Sequence, residues 1–292
     1  MVDGLFQLID KKYTPRYNIS MKFEHFCCPI CKSRLVNRGK SCFCEHNHCF
    51  DIAKENYLNL HVSQKNSDKA GDNKDMILAR KEFLKSGKYA QLADKLVELV
   101  DKYSVDNSVL LDLGCGWGYY VDYIQKHSTV NRRYLGTDLS KEAIKIGGKL
   151  NKDVDFCIAN SYHLPLLDKS VDMLLCVFSP YAIEEIMRVL SDNGKAIFVY
   201  PNDYHLWELK QSIYGESVHT KEFEVDFAPL TLIEKSTLNY EFELDSSAQI
   251  HNLITMTPYV YTTPKHMLER AESKEQMRVR ADFGIAVLQK PN

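Results

Sequence analysis

The stretch that decides the fold is a mostly apolar run that ends in three closely spaced glycines. It reads Val109-Leu110-Leu111-Asp112-Leu113-Gly114-Cys115-Gly116-Trp117-Gly118. The apolar run predicts a buried strand, and the Gly-x-Gly-x-Gly sequence after it predicts a tight turn into a helix. Glycines at such a turn let the backbone approach a ligand closely. The stretch therefore predicts a ligand site at the carboxyl end of a parallel strand.

Strands and helices alternate on both sides of this turn. The predicted strands cover residues 109–113, 133–137, 154–158, 171–178 and 195–200, and the predicted helices between them cover residues 119–126, 141–150 and 183–190. This alternation predicts a parallel sheet covered by helices on both faces. Upstream, the spacing of apolar residues predicts two helices within 75–103, broken at Ser86-Gly87. The tail predicts strands over 230–240 and 283–289 and a helix near 246–253.

Composition is that of a globular protein with enough apolar residues for a core. Hydrophobic residues make up 45% of the 292 and charged residues 26%, a balance that excludes extensive disorder. The longest strictly apolar run covers residues 173–178, far short of the roughly 20 that span a bilayer. The N-terminus lacks the basic-then-apolar layout of a signal peptide. We therefore expect a cytoplasmic protein without a membrane partner.

The net charge of −2 conceals a difference between the two parts of the chain. Residues 1–90 carry 16 Lys and Arg against 10 Asp and Glu, whereas the remainder carries 21 against 29. A positive front segment is where a polyanion such as RNA would bind.

Six of the nine cysteines lie within residues 27–49. An odd total in a cytoplasmic chain argues against a disulfide framework. Cys28-Pro-Ile-Cys31 is followed after twelve residues by Cys44, and after three more by His48. A tight turn that presents two thiolates, closed by a distant second pair, is typical of a structural Zn²⁺ site. The predicted ligands are Cys28, Cys31, Cys44 and His48, and the nearby alternatives are Cys27, Cys42, His46 and Cys49.

The glycine turn favours a cofactor other than a dinucleotide, because the dinucleotide fingerprint needs glycine where this chain has Tyr119. Asp112 precedes the first glycine. A carboxylate there would repel a pyrophosphate, but it suits a ligand that carries an ammonium group. S-adenosylmethionine (SAM) carries an ammonium and a sulfonium. We therefore predict a SAM site that includes Asp112, Gly114 and Gly116.

Positions after the next three strands fit the rest of this cofactor. Asp138 ends the second strand, 24 residues after Gly114, where a carboxylate can accept hydrogen bonds from both ribose hydroxyls. Asn160 follows the third strand, where an amide can read the adenine amino group. The fourth strand ends in Phe178-Ser-Pro-Tyr181, a proline-stiffened turn with an aromatic that can hold a planar base beside the transferred methyl group.

Taken together, these motifs resemble those of the RlmA-type 23S rRNA guanine-N1 methyltransferases, over residues from about 22 to 290. The matching pieces are Cys-Pro-x-Cys at 28–31, Cys-x₃-His-x-Phe-Asp at 44–51, Ala-Lys-x-x-Tyr-x-Asn-Leu at 53–60, Asp-x-Gly-Cys-Gly-x-Gly-Tyr-Tyr at 112–120, His-Leu-x-Glu-Leu-Lys at 205–210 and Met-Thr-Pro at 256–258. The methyltransferase motifs are shared with many small-molecule enzymes, whereas the zinc knuckle joined to residues 53–60 is specific to this family.

The resemblance implies an α/β fold, a Rossmann-like class I SAM-dependent methyltransferase sheet with a small β-rich zinc-binding domain at the N-terminus. It implies methylation of N1 of one guanine in a hairpin loop of 23S rRNA by a homodimer whose zinc domains help to form an RNA cleft. It also implies the same four zinc ligands. The SAM contacts that it implies are Tyr89, Gly116, Trp117 and His205.

The chain departs from the family pattern at Trp117, where the family commonly has Glu, and in its first 20 residues. A backbone contact at this position would tolerate Trp117, whereas a carboxylate contact to the SAM ammonium would have to come from Asp112 instead. The predicted division of the chain is an extension over 1–20, a zinc-binding RNA-recognition domain over 21–62, a linker with helices over 63–105, and the methyltransferase domain over 106–292.

Guanine N1 carries a proton that must leave before or during methyl transfer, which requires a base. The candidate catalytic residues are Asp203, His163 and Tyr181, the last as an aromatic that stacks on the base together with Tyr204 and Trp207. Asp172 is expected to pair locally, and His205 to contact the cofactor. The candidate phosphate contacts are Lys32, Arg34, Arg38, Lys40, Lys54, Arg80, Lys81, Lys85 and Lys88.

Two other functions share parts of this pattern. A small-molecule methyltransferase of the quinone-biosynthesis type has the same SAM core, but a small substrate does not need the basic zinc segment. A non-catalytic RNA-binding protein with a relic SAM fold does not need the intact glycine turn or Asp138.

Overall fold

The N-terminal part of the protein contains a small three-stranded sheet. The computed structural model describes residues 22–62, 72–215 and 226–291, so the predicted extension over 1–20 and residues 63–71 of the predicted linker lie outside the described residues. Three antiparallel strands form this sheet: β1 (Val36–Asn37), β2 (Ser41–Phe43) and β3 (Cys49–Asp51). We call residues 22–56 the ribbon.

A second sheet of eight strands forms the centre of the protein. In chain order its strands are β4 (Tyr57–Asn59), β5 (Ser108–Leu113), β6 (Arg132–Asp138), β7 (Val154–Ile158), β8 (Val171–Val177), β9 (Leu190–Pro201), β10 (Thr231–Leu244) and β11 (Met277–Gln289). Their spatial order is β10-β11-β9-β8-β5-β6-β7-β4. The six strands from β4 to β9 are parallel, and β11 is antiparallel to both of its neighbours.

Nine helices lie within the described ranges. They are α1 (Lys74–Lys85), α2 (Ala90–Tyr103), α3 (Tyr119–His127), α4 (Lys141–Leu150), α5 (Ile183–Val189), α6 (Trp207–Tyr214), α7 (Ser247–Thr255), α8 (Tyr259–Thr262) and α9 (Lys265–Glu272). None of them is long and apolar enough to cross a bilayer. Every residue of β5 and β7 is buried, as expected for parallel strands with both faces covered.

The predicted elements of the core are confirmed, with shifts of a few residues at their ends. The predicted helix break is also confirmed: α1 ends at Lys85 with Ser86 as its C-cap, and Gly87 has a φ of +78°. The sequence did not predict α6, α8 or α9. These helices are short, and α8 and α9 each begin directly after a proline.

The ribbon packs on one face of the central sheet. Phe23, Phe26 and Leu35 are fully buried in the same cluster as the inward-facing residues of β5 and β6. The Cys27 N–H donates to the Pro165 carbonyl at 2.9 Å, and β4, which directly follows the ribbon, pairs in parallel with β7. The predicted domain boundary after residue 62 stays a prediction, but residues 57–59 belong to the central sheet.

The contact between the ribbon and α4 depends on Gly148. A Cβ added there would lie 2.4 Å from the Glu55 carbonyl oxygen and 3.1 Å from that of Asn56. Ala in place of Gly normally stabilises a helix by up to about 1 kcal/mol. Because the obstacle is backbone, we expect Gly148→Ala to lower the free energy of unfolding by about 1–3 kcal/mol instead.

Urea unfolding would measure this change, with the exposed neighbour Lys149→Ala as the control, expected within about 0.5 kcal/mol of wild type. An increase in stability for Gly148→Ala would show that the ribbon can move away from α4.

Candidate active site

A cavity of about 1370 Å³ opens at the carboxyl ends of the parallel strands. It exceeds the roughly 300–1,000 Å³ of a pocket for one small molecule, so it has room for a cofactor and a second group. All eight residues predicted to contact the cofactor line it: Tyr89, Asp112, Gly114, Gly116, Trp117, Asp138, Asn160 and His205.

The glycine turn joins the end of β5 to α3. Its three glycines have φ values of +70°, +56° and +83°, which residues with a side chain rarely adopt. A Cβ on Gly114 would lie 1.8 Å from the Ser179 Oγ, so glycine is required for the turns after β5 and β8 to approach each other. A Cβ on Gly116 would meet no atom within 4 Å. The backbone of Gly116 therefore borders open cavity, as a backbone contact with a ligand requires.

Asp138 holds this turn in place from the end of β6. Its Oδ2 accepts a hydrogen bond from the Gly116 N–H at 2.9 Å, and its Oδ1 accepts one from the Ser140 N–H at 2.7 Å. Burial raises the pKa of Asp138, against the opposing effect of these two donors. Each carboxylate oxygen can accept a further hydrogen bond, so the ribose role predicted for Asp138 is compatible with the geometry.

Asp112 is a buried carboxylate with an unused acceptor. It is 1% exposed, and its Oδ2 has no hydrogen-bond partner among the described residues. Burial raises its pKa to about 7, with a smaller contribution from the charge of Asp138. A buried acceptor of this kind needs a partner such as water or an ion, and a cationic ligand group would satisfy it. The ammonium of SAM fits this site.

Tyr89 and His205 form a pair on the opposite wall. Burial lowers the pKa of His205 to about 3, so the ring is neutral at pH 7. The Asp282 N–H donates to Nδ1 at 3.3 Å, which assigns the ring proton to Nε2, 3.3 Å from the Tyr89 hydroxyl oxygen. Since the Tyr89 oxygen accepts a hydrogen bond from this N–H, the Tyr89 O–H can donate to an anionic or carbonyl oxygen in the cavity.

The indole of Trp117 packs in the core. It is 8% exposed, its ring lies 5.7 Å from that of Tyr119, and its Nε1 is buried without a partner among the described residues. Trp117 can therefore contact a ligand through its backbone. A carboxylate contact to the SAM ammonium would have to come from Asp112. Asn160 completes the same end of the cavity, and its Oδ1 accepts from the Tyr162 N–H at 3.0 Å.

The turns after β8 and β9 form the other end of the cavity. Phe178, Tyr181 and Asp203 line it. Phe178 has a φ of +54°, unusual for a bulky residue, and its half-exposed ring stacks on His205 with the centroids 6.0 Å apart. The sequence analysis placed the turn over residues 178–181 beside the transferred methyl group with Tyr181 as its candidate aromatic, but it gave the Phe178 ring no role. The residue type gave no signal, because an aromatic at the end of a buried strand is usually core.

Several other predicted residues lie outside this wall. His163 is exposed, does not line the cavity, and its backbone N–H donates to the Asn160 carbonyl. Tyr204 and Trp207 also lie outside the lining and contact each other, with ring centroids 5.5 Å apart. Asp172 accepts hydrogen bonds from Val109 and Ser191, which confirms its predicted local role.

The sequence analysis assigned Arg80 to phosphate contacts and gave Met76 no role at the cavity, yet both line it. It also assigned no role to Lys210, which lines the cavity from α6, or to residues 256–259. The only signal for these positions was that residues 205–210 and 256–258 matched the family pattern, which assigned no role to Lys210 or to the Met-Thr-Pro segment.

The four predicted zinc ligands meet at one point of the ribbon. Their ligand atoms all lie within 4.8 Å of one another. The Cys31 and Cys44 sulfurs are 3.6 Å apart, and the His48 Nδ1 lies 3.3 Å from the Cys44 sulfur and 3.4 Å from the Cys28 sulfur. A tetrahedron with metal–ligand bonds of about 2.0–2.3 Å has edges of roughly 3.3–3.8 Å. The donor set therefore fits Zn²⁺.

The alternative ligands are not part of this group. Cys42 is buried and Cys49 is exposed, and His46 is exposed beside Glu45, with 3.8 Å between Nδ1 and Oε1. Hydrogen bonds from Ser33 lower the pKa of Cys31 to about 5, which favours the thiolate that zinc requires.

The zinc geometry gives a direct test. Cys31→Ser replaces a thiolate by a weak ligand, and we expect the zinc content to fall from one per chain to well below half. Because structural zinc contributes on the order of 10–16 kcal/mol in small zinc-finger peptides, proteolysis within 22–62 should accelerate. Cys49→Ser is the matched control, since it removes an exposed sulfur outside the group. Full zinc content in Cys31→Ser would contradict the ligand assignment.

A second test addresses Asp138. Asp138→Ala should weaken SAM binding by roughly 10- to 100-fold, because hydrogen bonds to a charged group contribute about 1.5–3 kcal/mol. Calorimetry would measure the affinity, and thermal unfolding would report on the fold. Asp153→Ala, an exposed aspartate before β7, is the control. An unchanged SAM affinity would remove Asp138 from the cofactor site.

Comparison with known proteins gives the same organisation. A family model described as RlmA, N-terminal, a zinc ribbon, matches residues 26–68, and a methyltransferase-domain model matches residues 111–198. A protein of Bacillus subtilis (strain 168), provisionally named a 23S rRNA (guanine-N(1)-)-methyltransferase, is 29% identical over 280 residues, 92% of this chain and 98% of that protein. The 23S rRNA (guanine(748)-N(1))-methyltransferase of Streptomyces fradiae is 30% identical over 189 residues, 64% of this chain and 66% of that one.

Among solved structures, a protein of Bacillus halodurans C-125 provisionally titled a methyltransferase is 13% identical, covers 68% of this chain and 100% of its own, and gives a TM-score of 0.46. The zinc-ribbon match contains all four predicted zinc ligands, and the methyltransferase match contains Asp112, the glycine turn, Asp138 and Asn160. The resemblance read from the motifs is confirmed: the chain belongs to the RlmA-type 23S rRNA (guanine-N1-)-methyltransferase family.

Proposed function

We propose that this protein transfers the methyl group of SAM to N1 of one guanine in a hairpin loop of 23S rRNA. The observation that carries the proposal is one cavity with two chemically different ends, in a chain whose ribbon carries exposed cations. The names of the two rRNA methyltransferase relatives support the same reaction.

The cofactor belongs at the end formed by β5, β6 and β7. In open α/β sheets, ligands bind outside the carboxyl ends of the strands, and the glycine turn, Asp112 and Asp138 lie there. Asp112 pairs with the ammonium, and Asp138 with the ribose. SAM, when bound, supplies an electrophilic methyl group on a sulfonium.

The target base belongs at the end formed by the turns after β8 and β9. Guanine N1 is normally base-paired, so the base must be unstacked, which costs a few kcal/mol and less in a loop. An unstacked base in RNA is commonly held by aromatic faces. Phe178 and Tyr181 offer such faces next to the glycine turn, since the Ser179 between them touches Gly114.

The ribbon supplies contacts to the RNA backbone. Its exposed cations make no ion pair with any described carboxylate, so they are free to meet phosphates. They are Lys32, Arg34, Arg38, Lys40 and Lys54. By contrast, Arg80 pairs with Asp72 and Lys88 with Asp245, which leaves them less suited to this role.

We further propose that the enzyme is a homodimer that acts in the cytoplasm, where ribosomal RNA is present. The family resemblance supports the dimer. The exposed side chains of Leu232 and Ile233 on β10, the edge strand of the sheet, are compatible with a protein contact.

Methylation of N1 can be tested in cells and with pure protein. N1-methylguanine cannot form a Watson–Crick pair, so reverse transcription stops at it. We expect one stop in 23S rRNA to disappear when the gene is deleted and to return when wild-type protein, but not Asp138→Ala, is supplied.

Mass mapping of 23S rRNA from the deletion strain, treated with pure enzyme and SAM, should then locate one added methyl group on one guanine. An unchanged set of stops together with unmodified rRNA would refute the proposal. Methylation of a quinone precursor instead would establish the small-molecule alternative.

A further inference from the structure

We propose that Lys210 holds O6 of the target guanine while the Asp203 carboxylate takes the N1 proton, so that the two side chains together select guanine. This inference rests on the proposed function and assigns a role to a residue that neither the motifs nor the comparisons assign.

Lys210 is a cation at the substrate end of the cavity without a carboxylate partner. It lies on α6, which follows the turn after β9, and it is half-buried. Its Nζ donates to the backbone carbonyl of Asp203 at 3.4 Å, and no described carboxylate oxygen lies within ion-pair distance of it. Two of its three N–H donors are therefore available to a ligand.

The surroundings of Lys210 make an anionic or carbonyl oxygen the natural ligand. Burial lowers its pKa, whereas the charges of Asp203 and Asp282 raise it. A partly buried ammonium is incompletely solvated, so a hydrogen bond to an acceptor stabilises it. The other cation lining the cavity, Arg80, already bonds Asp72 and the Met256 carbonyl.

Two oxygens could meet Lys210: guanine O6 and the carboxylate of SAM. The position favours guanine. The glycine turn, Asp112, Asp138 and Asn160 lie at the ends of β5, β6 and β7, whereas Lys210 follows β9, two strands away from β5 with β8 between them. Of the predicted cofactor contacts, only His205 also follows β9. The turn after the intervening strand carries Phe178, whose ring stacks on His205 with the centroids 6.0 Å apart.

The hydrogen-bonding groups of Lys210 and Asp203 are complementary to guanine and not to adenine. Guanine presents O6, an acceptor, next to N1–H, a donor. Lys210 can donate to O6, and the Asp203 carboxylate can accept from N1–H. Adenine presents an amino group and an unprotonated nitrogen at these positions, which would face a cation and a carboxylate and leave both unpaired.

The same pair would assist the reaction. The N1–H bond breaks, its proton goes to the Asp203 carboxylate, and the electron pair left on the base is shared between N1 and O6. The ammonium of Lys210 stabilises the negative charge on O6. N1 then bonds to the methyl carbon as the carbon–sulfur bond breaks, and that electron pair stays on sulfur to give a neutral thioether.

Lys210→Met removes the charge but keeps the length of the side chain. We expect kcat with saturating RNA and SAM to fall by about 10²–10³-fold, the usual effect of removing one donor from an oxyanion. SAM affinity should stay within twofold and RNA affinity within threefold. Lys210→Arg should restore kcat to within about tenfold of wild type. Lys265→Met, at a side chain that is 89% exposed on α9, is the control and should match wild type.

The assay is methyl incorporation into 23S rRNA from the deletion strain. If wild type methylates N1 and Lys210→Met has a kcat within threefold of it, the role of Lys210 is refuted while the proposed function stands. A tenfold loss of SAM affinity would make Lys210 a cofactor ligand and also refute the inference. If wild type fails to methylate guanine, both proposals fail. Circular dichroism checks the fold, and Lys210→Gln gives the same comparison if Lys210→Met does not fold.

Discussion

The site depends on one hydrogen bond, from the Gly116 N–H to the carboxylate of Asp138 at 2.9 Å. It ties the turn after β5 to the end of β6, two neighbouring parallel strands whose register places Leu113 beside Thr137. The Thr137 carbonyl also accepts from the N–H groups of Gly114 and Cys115. The backbone of the turn is therefore fixed before any ligand arrives, and it leaves Gly116 facing open cavity.

Features with a local signal were predictable from the sequence. The buried strands are continuous apolar runs, and the glycine turn has a conformation that only glycine adopts readily. The zinc ligands are also local, because all four lie within 21 residues of chain and the pair spacing restricts the geometry. Sequence spacing alone did not separate Cys44 from Cys42. The structure does, because the Cys44 sulfur lies within 4.8 Å of the other three ligand atoms, whereas Cys42 is not part of that group.

Features that depend on distant parts of the chain were not predictable in the same way. Tyr89 and His205 are 116 positions apart, and only the family resemblance placed both at the cofactor. The addition of β4 to the edge of the central sheet is a contact between residues about a hundred positions apart, and its three residues carry no signal of their partner. Lys210 lies on a short helix that periodicity did not reveal, and an isolated lysine is usually a solvated surface residue.

Asp112 shows how the site conflicts with the stability of the core. Burial raises its pKa to about 7, above the ordinary 3.8. Between pH 4 and pH 7 the Asp112 carboxyl is ionised in the unfolded chain but still protonated in the folded protein. The contribution of Asp112 to stability therefore falls as pH rises from about 4 to 7. At neutral pH this amounts to a few kcal/mol, since one pKa unit corresponds to about 1.4 kcal/mol.

An apolar residue in this fully buried strand would avoid that loss, so packing does not explain the carboxylate. A cationic group beside Oδ2 would favour the ionised form and offset the loss. Binding of such a ligand is therefore linked to folding. Without the ligand, the protein is less stable than it would be with an apolar residue at position 112. A fully buried strand carries a carboxylate here because the carboxylate belongs to the ligand site.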